Sequence, residues 1–337
     1  MQYTKPFVSV VIPTFNRSAM LSRCLDSLFT QSYPENMYEI IVVNGSSKDN
    51  SERILAEYEK KAPCGFSWIT LEGQKVTDAR NSGIFRSKGD LICFIDDDCI
   101  ADSNWISNLI NGFTNETIGA VGGNIVSYQV KTPLQQYTED AKILSQDLFM
   151  SKNKLITANA AYRRQILTTI SGFDNYFIAC EDADVAIRTQ LLGYELRYIP
   201  DAIVFHDHRS TIIGLFLQQY RNGKGFVQLH RKYGIKYNLA YNISIFEFRN
   251  LVILIRYPFT LVSSLLSKKN KNFVLKPLFE VIRSSALDLG IIRETFFGDA
   301  YEGMRAQTHI DFIEFMDDKP LFSLWEKLRK KVHDREY

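Results

Sequence analysis

Three groups of residues in this 337-residue chain combine types and spacings that could do chemistry. Asp96-Asp97-Asp98 follows the apolar run Leu91-Ile92-Cys93-Phe94-Ile95 without a break. Cys180-Glu181-Asp182-Ala183-Asp184 forms a second acidic cluster, and His206-Asp207-His208 forms a third polar group. Adjacent carboxylates repel, and burying them unpaired is costly, so a buried triplet calls for a cation. Hard oxygen ligands suit Mg2+ or Mn2+, and those ions suit a diphosphate. Together the groups would serve metal-assisted group transfer: an ion stabilises the leaving group while a separate carboxylate deprotonates an attacking hydroxyl. Each group also has a plainer reading. The triplet can be a solvated turn, Glu181 and Asp182 can simply favour a helix N-terminus, and His206 can be a half-buried structural histidine. Asp207 and His208 are read as structural.

The elements that would position these groups alternate. Phe7 to Pro13 is a β-branched run closed by proline, followed by the loop Thr14 to Arg17. Ser18 can cap a helix with an apolar face of Leu21, Leu25 and Leu28. Glu39 to Val43 is a second strand with the turn Asn44 to Asp49. A second helix starts at Asn50-Ser51, a third strand covers Phe66 to Leu71, and a helix covers Thr77 to Ser87. Leu91 to Ile95 then reads as a strand buried on both faces. This alternation predicts an α/β fold with a mostly parallel sheet, and ligands bind at the C-terminal ends of such strands. Further on, the pattern predicts a helix from Trp105 to Phe113 and a strand from Ile118 to Val126. Gly122-Gly123 inside that strand marks close approach by a ligand or another backbone. Helical character comes next over 134–149, then a short strand over Leu155 to Ala161, and a helix from Val185 to Leu192 ended by Gly193. Tyr194 to Ile199 and Ala202 to Phe205 read as two short strands.

Composition separates the chain into parts. Residues 1–208 hold 19 Lys/Arg and 25 Asp/Glu; residues 209–283 hold 13 and two; residues 284–337 hold eight and 11, giving −6, +11 and −3. A basic block of this kind points to an anionic partner. The five cysteines lack zinc-type spacing and read as reduced thiols of a cytosolic protein. The N-terminus does not have the pattern of a signal peptide, and no apolar run is long enough for a membrane-spanning helix.

The ordered segments Val-Ser-Val-Val-Ile-Pro-Thr-Phe-Asn-Arg (8–17), Ile-Ile-Val-Val-Asn-Gly-Ser-Ser-Lys-Asp (40–49), Asp-Ala-Arg-Asn-Ser-Gly (78–83), Gly-Asp-Leu-Ile-Cys-Phe-Ile-Asp-Asp-Asp (89–98) and Glu-Asp-Ala-Asp (181–184) resemble the family 2 glycosyltransferases. These are inverting enzymes of the GT-A fold, Rossmann-like with helices flanking the sheet. The resemblance covers residues 7–208 and implies roles. Thr14 and Arg80 would contact the nucleotide and Asp96 the ribose. Asp98 would bind Mn2+ or Mg2+. Asp97, the middle member of this D-x-D element, is grouped with the donor-binding residues as a spare carboxylate. Asp182 would be the catalytic base, with Glu181 and Asp184 beside it. His206 would complete the metal site, and Asn159 would line the donor or acceptor pocket. Trp105 falls where many members carry an aromatic; core packing is the stronger reading for it. The second strand's turn departs from the family pattern: Asn44 stands where an aspartate usually accepts a hydrogen bond from the base. An amide oxygen can still accept one, without charge.

The expected domains are a catalytic GT-A unit over 1–208, a basic amphipathic helical segment over 209–283 and a mixed-charge helical tail over 284–337. Gln218 to Gly225 resembles a segment that comes after the catalytic domain in many members. Phe246 to Leu266 mixes apolar residues with Arg249, Arg256 and Pro258, and Lys268, Lys269, Lys271 and Lys276 come after it. Apolar stripes with basic flanks read as membrane-surface helices; the alternative is a solvated basic face on helices that pack on the catalytic unit. The expected reaction is transfer of a sugar from a nucleotide diphosphate sugar to a hydroxyl of a glycan or lipid-linked acceptor. It would take place at the inner face of the cell membrane on a cytoplasmic, peripheral protein. No nucleic-acid module is recognised. Two rivals differ in kind. A nucleotidyltransferase would carry a Gly-rich loop after the first strand, which Thr14 to Arg17 is not. An inactive nucleotide-sugar-binding scaffold on a membrane would bind donor without turning it over.

Overall fold

The computed structural model describes residues 5–72, 75–233, 250–253, 255–259 and 271–302. Its sheet grows from the β-branched and aliphatic runs. β1 (Val8–Thr14), β2 (Tyr38–Asn44), β3 (Gly65–Thr70) and β4 (Leu91–Ile95) are joined by α1 (Ser18–Leu28), α2 (Ser51–Lys61) and α3 (Val76–Arg86). Every residue of β4 is buried, as expected of a strand with helices on both faces. Next in the chain are β5 (Cys99–Ala101), α4 (Trp105–Asn111), β6 (Ile118–Ser127), α5 (Pro133–Asp140), α6 (Gln146–Met150) and β7 (Asn159–Arg163). α7 (Arg164–Thr169), α8 (Glu181–Leu191), β8 (Glu195–His206) and α9 (Ile212–Tyr233) complete this part of the chain.

The strands form one eight-stranded sheet in the order β3-β2-β1-β4-β7-β6-β8-β5. β3, β2, β1 and β4 are parallel; β7 runs antiparallel to both β4 and β6; β6 and β8 are parallel; β5 is antiparallel to β8. The sheet is therefore mostly parallel on one side and mixed on the other. Val10, Ile12, Cys93 and Ile95 face Leu21, Cys24, Leu25 and Leu28 of α1 in the larger core, and Val11, Ile92 and Phe94 face Phe173 and Val185 on the opposite side.

Several expectations are corrected. Ser18 does not cap α1: its own N–H donates to Asp49 Oδ2 at 2.8 Å, so the cap comes from the second loop. The short strand expected over Leu155 to Ala161 begins only at Asn159, because the Gln146 side chain takes both backbone groups of Ile156. α8 begins at Glu181, so the second acidic cluster is its first turn and does not precede it; Cys180, at φ +65°, bends the chain into it. Residues 194–205 are not two strands. β8 runs through Pro200, which falls where the register with β6 slips between Gly123 and Asn124, a place where a missing N–H is tolerated. The glycine pair does mark close backbone approach: a Cβ on Gly123 would lie 2.2 Å from the Ala202 carbonyl oxygen.

α9 packs on the catalytic half, with Leu229 and Tyr233 clustering with Phe177, Ala183 and Ile187. A long helix, Lys271–Phe297, crosses α9 closely: a Cβ on Gly223 or Gly290 would meet the partner helix's backbone at 2.1 or 2.0 Å. This helix is continuous through residue 283, so the boundary expected at 283/284 falls inside one element. Lys224 and Arg231 reach Glu294 across the crossing, and Lys232 reaches Asp174 and Asp184. Part of the basic block is thus paired with acids of the fold. Arg249, Lys268, Lys269 and the tail beyond residue 302 lie outside the described residues, as does the side chain of Lys271.

Candidate active site

The ends of β1, β4 and β8 and the first turn of α8 converge. β1 delivers Thr14, whose hydroxyl donates to Asp97 Oδ2 at 2.8 Å. The loop after it delivers Arg17, whose Nη1 donates to Asp97 Oδ1 at 2.8 Å and Asp98 Oδ2 at 2.7 Å. Asp97 is therefore not a spare carboxylate; it ties the β1 loop to the triplet. Asp97 and Asp98 side chains are 3% exposed and that of Asp96 is 30% exposed, so Asp96 is the member that faces the crevice. Burial disfavours both buried charges. Asp98 is nonetheless held below the usual carboxylate range, because His206, Arg17 and Arg209 face it. Asp97 is pushed up by burial and by its charged neighbour Asp98, against the pull of Arg17.

The donor set around Asp98 fits a divalent ion. Asp98 Oδ1 is buried and has no hydrogen-bond partner among the described residues, while His206 Nε2 lies 3.4 Å away. Ligand atoms of Asp98, Cys99 and His206 all fall within 4.8 Å of one another. Burial, then the neighbouring carboxylates, push the Cys99 thiol far up; as a soft sulfur it also suits Mn2+ or Mg2+ less well than oxygen and imidazole donors do. Asp98 and His206 are the two side chains that would hold the ion, leaving positions for diphosphate oxygens.

α3 delivers Arg80, buried against Phe173. Its Nη2 reaches Asp96 Oδ1 at 3.1 Å and its Nη1 reaches Glu181 Oε1 at 2.7 Å. One guanidinium thus joins the first acidic cluster to the second. Asp182 sits at the start of α8, partly exposed. Burial and the adjacent Glu181 charge raise its pKa to about 7, against the pull of Arg80. Asp184 is not beside it. Two residues along a helix turns the side chain roughly 200°, and Asp184 is fully buried against Arg188 at 2.6 Å, Lys232 at 2.7 Å and Tyr233 at 2.8 Å.

Two expected binding residues face inward. Asn159 is fully buried; its amide nitrogen donates to Asn124 and Ala202 carbonyls at 2.8 Å each, and its oxygen accepts from the Trp105 indole at 2.8 Å. Its side-chain capacity is used in holding β7, β6, β8 and α4 together, so it does not line a pocket. Asn44 is also fully buried. Its amide donates to Thr70 Oγ1 at 3.1 Å and Glu52 Oε1 at 3.4 Å, and its oxygen accepts from the Ser47 N–H at 3.2 Å. It shapes the β2 turn from beneath.

Arg17, Arg209 and Glu139 gather at the site without having been assigned a role from sequence, and His208, read there as structural, joins them. Arg209 Nη2 is 3.8 Å from Asp98. His208 Nδ1 is 3.1 Å from His206 Nδ1, and its Nε2 is 3.6 Å from Glu139. Burial, then His206, hold the His208 pKa down to about 4. The signal for the arginines was available: cations directly after a strand end, beside carboxylates that need compensation.

Such a sheet, with carboxylates at the end of its central strand and a second acidic cluster across the crevice, has the architecture of the GT-A fold. Residues 9–173 match the family model described as glycosyl transferase family 2. A glycosyltransferase AglE of Haloferax volcanii is 29% identical over 231 residues, covering 68% of this chain and 76% of that protein. A probable glycosyltransferase YdaM of Bacillus subtilis is 32% identical over 232 residues; these are 65% of this chain and 55% of YdaM, so the chain spans about half of that relative. Among solved structures, a mannosyltransferase from Pyrobaculum calidifontis in complex with GDP-Man and Mn2+ matches with a TM-score of 0.63 at 16% identity, covering 88% of this chain and 89% of that one. That likeness speaks to the fold.

Proposed function

We propose that the protein transfers a sugar from a nucleotide diphosphate sugar to an acceptor hydroxyl with inversion, with Asp182 as the base. The observation that carries this reading is the Arg80 bridge between Asp96, on the diphosphate side, and Glu181, beside Asp182. It fixes the donor-side carboxylate and the base in one frame. A carboxyl with a pKa of about 7 is well matched to accept a proton near neutral pH, and a single displacement needs only one such base. Asp98 and His206 would hold Mn2+ or Mg2+, whose role is to offset charge on the departing diphosphate. Thr14 and Arg17 brace the metal-side carboxylates, and Arg80 orients Asp96 toward the ribose. The Mn2+ in the structurally similar mannosyltransferase supports a divalent ion. The test is a panel of UDP-, GDP- and dTDP-sugars with Mn2+ and simple acceptors. Product anomeric configuration is read by NMR, and Asp182→Asn serves as the inactive control.

The acceptor we infer is a growing glycan or lipid-linked saccharide in cell-surface polysaccharide or glycoconjugate synthesis, met at the inner face of the membrane. No helix among the described residues is long and apolar enough to cross a membrane. Exposed Ile212, Ile213 and Leu217 on α9, and Leu251, Ile255 and Phe259 at intervals of four, give apolar faces within the basic block. Such faces support adsorption to an anionic surface. Sedimentation with phosphatidylglycerol vesicles tests it: binding should be present and should fall with salt.

A further inference from the structure

Beyond the metal ligands, we propose that His208 and Glu139 are positioning residues that set which nitrogen of His206 is free to bind the ion, an inference that rests on the metal reading above. The chain of contacts is linear. Asp98 Oδ1 faces His206 Nε2 at 3.4 Å; His206 Nδ1 faces His208 Nδ1 at 3.1 Å; His208 Nε2 faces Glu139 Oε2 at 3.6 Å. Contact at 3.1 Å between two ring nitrogens needs a hydrogen on one and a lone pair on the other.

With both rings neutral, as a metal-ligating His206 must be, two arrangements satisfy that contact. In the first, His206 carries its hydrogen on Nδ1 and His208 carries its hydrogen on Nε2, pointing at the Glu139 carboxylate. His206 Nε2 is then a lone pair aimed at the space beside Asp98, as a metal ligand must be. In the second, both hydrogens shift over. His206 Nε2–H then points at Asp98, and a bare His208 nitrogen faces the Glu139 carboxylate.

The ion itself decides between the arrangements, and the two carboxylates serve the two ends of the relay. Asp98 already has Arg17 at 2.7 Å and Arg209 at 3.8 Å. Its Oδ1 is buried and accepts no hydrogen bond among the described residues, as an oxygen reserved for the ion would be, and an ion between it and His206 Nε2 takes up that nitrogen's lone pair. Glu139, by contrast, accepts from the Ser127 hydroxyl and has His208 as its one ion-pair contact among the described residues. With the ion on His206 Nε2, the hydrogen on His208 Nε2 meets the Glu139 carboxylate, and the first arrangement is satisfied at both ends. The fold holds the far end of the relay in place. α5 carries Glu139 and also Gln135, whose amide donates to the His208 carbonyl at 3.1 Å, while Thr132 caps the same helix. Both imidazoles are buried, tilted 46° with centroids 4.9 Å apart, so neither ring can turn freely.

The experiment uses the full chain with selectively 15N-labelled histidine. Long-range nitrogen–proton couplings report the tautomer of each ring, and loss of the free Mn2+ EPR signal reports metal binding. With diamagnetic Mg2+ bound for the couplings, the wild type should show His206 with its hydrogen on Nδ1. Glu139→Ala, at a half-exposed site where folding is not at stake, should shift His206 toward Nε2–H. It should also weaken Mn2+ binding about 10- to 100-fold, the usual effect of removing such a partner. His208→Ala should weaken it as much, and His206→Ala should abolish it. Binding within about twofold of wild type in both Glu139→Ala and His208→Ala would overturn the relay. If His206→Ala binds Mn2+ as the wild type does, the metal reading fails on its own account. The relay is then judged by the couplings alone, and a His206 tautomer unmoved by Glu139→Ala overturns it.

Discussion

Asn44 donates its side-chain amide to the Glu52 carboxylate at 3.4 Å, from a position with no solvent exposure. An aspartate at 44, the residue the family pattern leads one to expect, would set a buried carboxylate against that acid and lose a donor to Thr70. We expect Asn44→Asp to destabilise the protein by about 1–3 kcal/mol, the range for an unsatisfied buried polar group. Adding Glu52→Gln should recover part of that loss. Urea denaturation of the two single variants and the double variant measures the coupling.

Asp182 should give activity an acid limb. Its carboxyl is protonated below about 7 and cannot take the acceptor's proton, so turnover should climb as pH rises through that value. Asp182→Asn should lower the rate about 10²- to 10⁴-fold at saturating donor while leaving nucleoside diphosphate binding intact. Stability runs the other way. The folded pKa lies above the unfolded one, so the native state holds more protons between about 4 and 7, and stability falls as pH rises through that window. Asp182→Asn should therefore raise Tm at pH 8, as scanning calorimetry will show.

Arg17 is the counter-ion of Asp97 and Asp98. Arg17→Ala strands two buried charges and should lower stability by about 1–3 kcal/mol; the value is placed below that for a fully buried pair because Arg17 is 29% exposed. With an ion held at Asp98, Mn2+ should restore more Tm to Arg17→Ala than it adds to wild type. Equal Mn2+ shifts in the two proteins would separate the ion from Asp98.

Asn159 and Gly123 should behave as structural positions. Asn159→Ala leaves the Trp105 indole and two carbonyls without partners, and should cost about 2–4 kcal/mol. The donor KM of the folded fraction should hardly move. Gly123→Ala has no room beside the Ala202 carbonyl and the Asn159 amide, and should express poorly or melt early.

The motifs were legible because their signals are local. A short apolar run such as Leu91 to Ile95, bounded by turn residues, reads as a buried strand, and carboxylates directly after it then stand at that strand's end. Asp96, Asp98, Asp182 and His206 emerge at one crevice because each lies at or near the end of an element that points there, and Arg80 reaches it from the middle of α3. Residue type and order also carried the family. Direction and partnership were not local. Whether an asparagine faces a ligand or the core depends on partners elsewhere in the fold: Asn159 turned inward because two strands offered it carbonyls and Trp105 its indole N–H, and Asn44 because the Glu52 and Thr70 side chains accept from it. Asp184 left the site through helical rotation and a lysine on α9. Compensation was likewise tertiary, since a buried carboxylate needs a cation without specifying which one. Composition set the amount of charge; only packing chose Arg17 for Asp97 and Asp98, and His208 with Glu139 behind His206.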